Sequence, residues 1–121
     1  MTFSGFERLF YGRDAERVSN TINTLIYAMI ARRRRGIDVQ PALYYLREMY
    51  DSHYSPLLRI GQGAGKRAVN IERYSEIADE FESYLSKVLA EIFDPKTPFR
   101  QAKDPLACTY CDYAAICGKK G

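Results

Sequence analysis

The feature that most narrows the possible folds is the apolar stripe Tyr74, Ile77, Ala78, Phe81, Leu85, Val88, Leu89 and Ile92. Steps of three and four residues put all of these on one face of an α-helix, and a one-sided helix needs an apolar surface to cover it. Asn70 is placed to cap its start. Asp94-Pro95 is placed to stop it, because proline disfavours helical backbone in the preceding residue. The spacing predicts roughly 23 residues and about 35 Å of helix, enough to lie along a whole sheet. The acidic residues between Glu72 and Glu91 fall opposite the stripe, in solvated positions ill-suited to general acid or base work.

A second long helix is written earlier in the chain. Val18, Ile22, Leu25, Ile26, Met29 and Ile30 recur at helical spacing after Asp14, a cap residue, and the pattern ends at Arg35-Gly36, where glycine can take a left-handed terminus. Before it, Phe3, Phe6, Leu9 and Phe10 share one side of a short helical or turn segment over 3–11, with Gly12 as a break. Between the helices, Ala42 to Met49 is aromatic and aliphatic, short and preceded by Pro41, which predicts a strand. A helix competes there through Arg47-Glu48-Met49. Asp51 to Gly65 reads as loop, with a further strand possible at Leu57 to Ile60. Two helices around one or two strands give an α/β class with an unfinished sheet, since an isolated strand pair is marginal in water.

The tract Gly61-Gln62-Gly63-Ala64-Gly65-Lys66 resembles a phosphate-binding loop only superficially. Arg67 stands where a P-loop has a hydroxyl, so a flexible connection is the better reading. Basic residues are uneven: Arg32, Arg33, Arg34 and Arg35 run together, Lys66-Arg67 follow the glycines, and Lys119-Lys120 come near the end. The arginine run suits the negative end of a helix dipole, with phosphate contact as the alternative. A net charge of +3 and a pI near 8.8 permit a nucleic-acid partner without requiring one.

At 121 residues, with 46% hydrophobic and 27% charged residues, the chain has the composition of one globular domain. No stretch approaches the roughly 20 apolar residues of a membrane helix, and Met1 to Arg8 lack a signal-peptide pattern, so a cytoplasmic protein without membrane partners is expected. All three cysteines lie in the segment 104–121, behind an extended arm from Thr97-Pro98-Phe99. Cys108, Cys111 and Cys117 form C-x2-C-x5-C, a spacing that lets three thiolates converge on a soft metal, while 1–103 forms the helix and strand core. Zinc and iron–sulfur centres both take four ligands, so this set is one short. His53 could complete a Cys3His zinc site, or the cysteines could merely pack. No full catalytic grouping is present, for His53 is the one histidine and sits in loop sequence.

Read in order, Asn23-Thr24-Leu25-Ile26-Tyr27, Val39-Gln40-Pro41-Ala42-Leu43-Tyr44, Glu91-Ile92-Phe93-Asp94-Pro95, Pro98-Phe99 and the cysteines resemble the C-terminal part of a RecB/AddB-like PD-(D/E)xK nuclease domain with an iron–sulfur tail. The resemblance implies an incomplete restriction-endonuclease-like α/β core: two long helices, one or two strands and a C-terminal cysteine segment. It implies that Cys108, Cys111 and Cys117 are three ligands of a [4Fe–4S] cluster whose fourth comes from far upstream. Asn23 and Tyr27 occupy the family's Q-x-x-x-Y positions beside the active site, four residues apart and on one helix face, although they also read as the polar flank of an amphipathic helix. In the family an aspartate and a (D/E)-x-K pair bind Mg²⁺ for phosphodiester hydrolysis. Neither Glu7-Arg8 nor Asp14-Ala15 matches that pattern. The expectation is a C-terminal nuclease piece, inactive alone, with DNA as partner, Arg32 to Arg35, Lys66 and Arg67 as its contacts, and the N-terminal nuclease or helicase portion, or a helicase subunit, as complement.

Overall fold

The computed structural model describes residues 2–3, 5–11, 15–61 and 67–119, with the backbone alone over 15–18. It divides into two compact units, 1–88 and 89–121.

In the first unit, β1 (Thr2–Phe3), β2 (Arg59–Ile60) and β3 (Val69–Asn70) make a small sheet in that order. β1 runs parallel to β2, with Thr2 opposite Arg59 and Phe3 opposite Ile60. β3 runs antiparallel to β2, with Arg59 opposite Asn70 and Ile60 opposite Val69. Helices α1 (Phe6–Tyr11), α2 (Ala15–Arg35) and α3 (Ala78–Ile92) complete a mixed α/β arrangement around that sheet. The expected α/β class holds.

α2 forms where its period predicts. Thr21, Leu25 and Ala28 are buried on one face, and Ile22, Ile26 and Met29 pack beside them. Gly36 ends the helix at φ +65°, its N–H donating to the Arg32 carbonyl at 3.0 Å. That left-handed bond satisfies a carbonyl the helix would otherwise leave open. The cap expected at Asp14 lies outside the described residues.

Phe81 on α3 is the hub of the core. Its ring lies 5.9 Å from that of Phe6, 5.7 Å from Phe10 and 6.2 Å from Tyr74, and all but Phe10 are fully buried. The edge and tilted packings keep ring quadrupoles in favourable register. Leu9, Leu58 and Ile71 close the cluster from α1 and the sheet segments.

Three expectations need correction. Phe3 belongs to a strand rather than to the first helical segment. α3 starts at Ala78, not at Asn70, and is 15 residues or about 22 Å long. Asn70 is held in β3, and Ile71 N–H donates to the Leu58 carbonyl at 2.9 Å. A 3₁₀ turn, Tyr74–Glu76, then leads into the helix. The capping contact comes from across the unit, where Asp38 accepts from Ser75 N–H at 3.0 Å and also from its hydroxyl.

The third correction concerns 42–49, which is not a strand. Only an isolated antiparallel bridge joins Ala42 to Leu57, and 46–50 is turn. Tyr54 is the cause: its hydroxyl oxygen accepts from Tyr45 N–H at 2.6 Å and donates to the Leu43 carbonyl at 3.1 Å. A side chain has taken backbone groups that a ladder would pair. Of the possible strand at 57–60, Arg59 and Ile60 are paired into the sheet as β2.

The second unit is organised by turns. After α3, Asp94 accepts from Lys96 N–H at 3.0 Å and Thr97 Oγ1 at 2.7 Å. Asp104 then caps a 3₁₀ turn, Pro105–Cys108, through Leu106 N–H at 3.0 Å. Residues 112–118 turn again and end at Gly118, φ +68°, where Lys119 N–H reaches the Ala114 carbonyl and Gly118 N–H that of Ala115. This paired closure is a helix-terminating motif that glycine allows at little steric cost. Among the described residues, no helix is long and apolar enough to cross a membrane.

Candidate nucleic-acid interface

Because Thr21, Leu25 and Ala28 fix the inner face of α2, the residues about half a turn away must face out. Asn20, Asn23, Tyr27, Ile30 and Arg34 do so, along one row stepped by three and four residues. Tyr27 is 73% exposed. Thr24 turns its hydroxyl to the Asn20 carbonyl at 2.8 Å, so it spends its donor locally. Asn23 and Tyr27 therefore stand together on the surface, with amide and phenol available.

The row ends in the arginines, which the structure sorts into different roles. Arg33 pairs with Glu82 on α3, and Glu82 also accepts from the Tyr74 hydroxyl at 3.0 Å. The Arg33 guanidinium, bonded to it, holds the Glu82 carboxyl below its ordinary range against the opposing effect of burial. Burial and the bond to Glu82 push the Tyr74 phenol well above its ordinary value, so Tyr74 is a neutral donor. Asp38 is held low chiefly by its two bonds from Ser75, with Arg32 and Arg73 adding positive potential. Together these contacts fasten the C-terminal end of α2 to the start of α3. Arg34 and Arg35 are exposed and have no ion-pair or hydrogen-bond partner among the described residues.

Sequence reasoning missed Glu82. The helical spacing places it among the solvated acids, yet its side chain is only 25% exposed and accepts two donors. Its place at the flank of the stripe, next to Phe81, was the available signal. Arg67 is exposed just before β3, whereas Lys66 and most of the glycine tract lie outside the described residues.

Cys108, Cys111 and Cys117 are all half-buried free thiols in the second unit. Among the described residues, no three His, Cys, Asp or Glu side chains are gathered closely enough to hold a metal ion. As placed, the three thiols do not fit a cluster or zinc site. The imidazole of His53 lies in the first unit, beside Ser52 Oγ at 3.2 Å and Asp51 Oδ1 at 3.5 Å. A Mg²⁺ site fits no better: Thr2–Phe3, Arg59–Ile60 and Val69–Asn70 include neither a carboxylate nor a lysine. Among the described residues, a shallow depression between Tyr45, Glu48, Asp51 and Tyr54 belongs to the turns of 45–55.

The described surface can thus grip an extended anion through an aromatic and amide row ending in free guanidinium groups. It has no grouping that would activate water. A family model described as the PD-(D/E)XK nuclease superfamily matches residues 11–118. No curated protein and no solved structure gave a significant match.

Proposed function

The chain belongs to the PD-(D/E)XK nuclease superfamily, and from that premise we propose that it is the DNA-holding C-terminal segment of a RecB/AddB-type nuclease acting in DNA repair or recombination. The observation that carries the proposal is the outer row of α2, where exposed Asn23 and Tyr27 lead to Arg34 and Arg35, which have no partner among the described residues. Polyanion contact needs cations that are not already neutralised. Arg33, tied to Glu82, instead holds the helix end in place.

Hydrolysis in this reading depends on an aspartate and a carboxylate-x-lysine pair from strands other than the three described. Those belong to the nuclease or helicase portion that this segment complements, as an exonuclease or helicase–nuclease. The chain alone binds DNA and leaves it uncut. For the tail, the C-x2-C-x5-C spacing alone supports a [4Fe–4S] role; as placed the three thiols form no site, so in this reading they gather only together with a fourth thiolate from that same complement. The isolated chain then forms no stable, stoichiometric cluster on anaerobic reconstitution.

The test is DNA binding by fluorescence anisotropy at several salt concentrations, with a cleavage assay in Mg²⁺ alongside. Arg34→Ala with Arg35→Ala should weaken binding and make the salt slope shallower by about two. Cutting by the isolated chain, or an unchanged slope in the double variant, would overturn the proposal.

A further inference from the structure

The three thiols are not equivalent. Cys108 ends the 3₁₀ turn and Cys111 follows it, with Cys111 N–H donating to the Cys108 carbonyl at 3.3 Å. A hydrogen-bonded turn of four residues brings its end Cα atoms within about 7 Å, and a disulfide needs about 4.4–6.8 Å. Cys117 stands apart. Six residue steps of turning backbone lead to it from Cys111, and at a rise of about 1.5–2.0 Å per residue that is roughly 9–12 Å along the axis. Its own carbonyl is engaged by Gln101 Nε2 at 3.3 Å.

We propose that Cys108 and Cys111 form a reversible dithiol–disulfide couple, with Cys117 left as a free thiol in both states. The oxidant is a low-molecular-weight disulfide. The thiolate of one cysteine attacks it, giving a mixed disulfide and releasing one small thiol; the thiolate of the other then attacks the protein sulfur of that mixed disulfide. A Cys108–Cys111 bond forms and a second small thiol leaves, so the protein loses two electrons and two protons and the small disulfide gains both. The turn supplies the second step with a thiolate whose Cα lies near the span a disulfide bridges, so the mixed disulfide is short-lived. The inference rests on the turn geometry and not on the nuclease reading.

Full-length chain treated with oxidised glutathione should retain one of its three thiols. Its mass should fall by two hydrogen atoms, and peptide mapping should place the bridge between Cys108 and Cys111. Cys117→Ser should give the same bridge, whereas Cys108→Ser and Cys111→Ser should stop at stable glutathione adducts. A bridge that includes Cys117, adducts on all three thiols without a bridge, or no reaction would each overturn the couple.

Discussion

The two compact units are built on different principles. Residues 1–88 close an aromatic and aliphatic core around Phe81, while residues 89–121 place Phe93, Phe99, Leu106, Tyr110, Tyr113 and Ile116 on the surface and hold their shape through capped turns. A core distributes stability over many contacts, whereas a chain of turns opens piece by piece. The first unit therefore suits a fixed binding surface. The second suits a segment whose state changes with thiol chemistry.

The largest expected break of this contrast is Phe81→Ala. Removing a fully buried ring at the centre of three ring contacts should cost about 3–5 kcal/mol, measured by urea unfolding followed by circular dichroism. Thiol reactivity of the second unit should barely change. A loss under about 1 kcal/mol would show that Phe81 is not the hub.

Next in size is Tyr74→Phe, which removes a buried donor to a carboxylate but leaves Glu82 its arginine. The expected cost is about 1.5 kcal/mol. Acid unfolding sharpens the same point. Because the folded Glu82 carboxyl lies below its ordinary value of 4.5, its contribution is complete above that pH and is lost as pH falls through the lower folded value. Glu82→Gln should flatten the acid side of the stability profile; an unchanged profile would remove Glu82 from the account.

The smallest effect is expected in the second unit. Asp104→Ala should cost about 1 kcal/mol by loss of a cap. It should appear as faster alkylation of Cys108 and Cys111, with the main unfolding transition unmoved. A shift of that transition would mean that the two units unfold together.

Sequence period made the helices legible because burial on one face is a local pattern. Leu25 and Ala28 lie inside, as the spacing of α2 requires, and Gly36 ends the helix. The start of α3 was not legible, because the 3₁₀ turn that displaces it is held by Asp38, which stands 37 residues before Ser75. The pairing of Arg33 with Glu82 was hidden for the same reason, across 49 residues. At 42–49, β propensity lost to one tyrosine hydroxyl, which propensity does not register. The row from Asn23 and Tyr27 to the arginine run was visible as spacing, but which arginines are free depends on tertiary pairing.

The central claim is that the outer row of α2 faces DNA. An NMR titration of the full chain with a short duplex tests it most directly. The account predicts the largest shift changes at Asn23, Tyr27, Arg34 and Arg35, with smaller ones at 45–55 and in the cysteine tail. Changes confined to 45–55 or to the tail, with α2 unmoved, would contradict it.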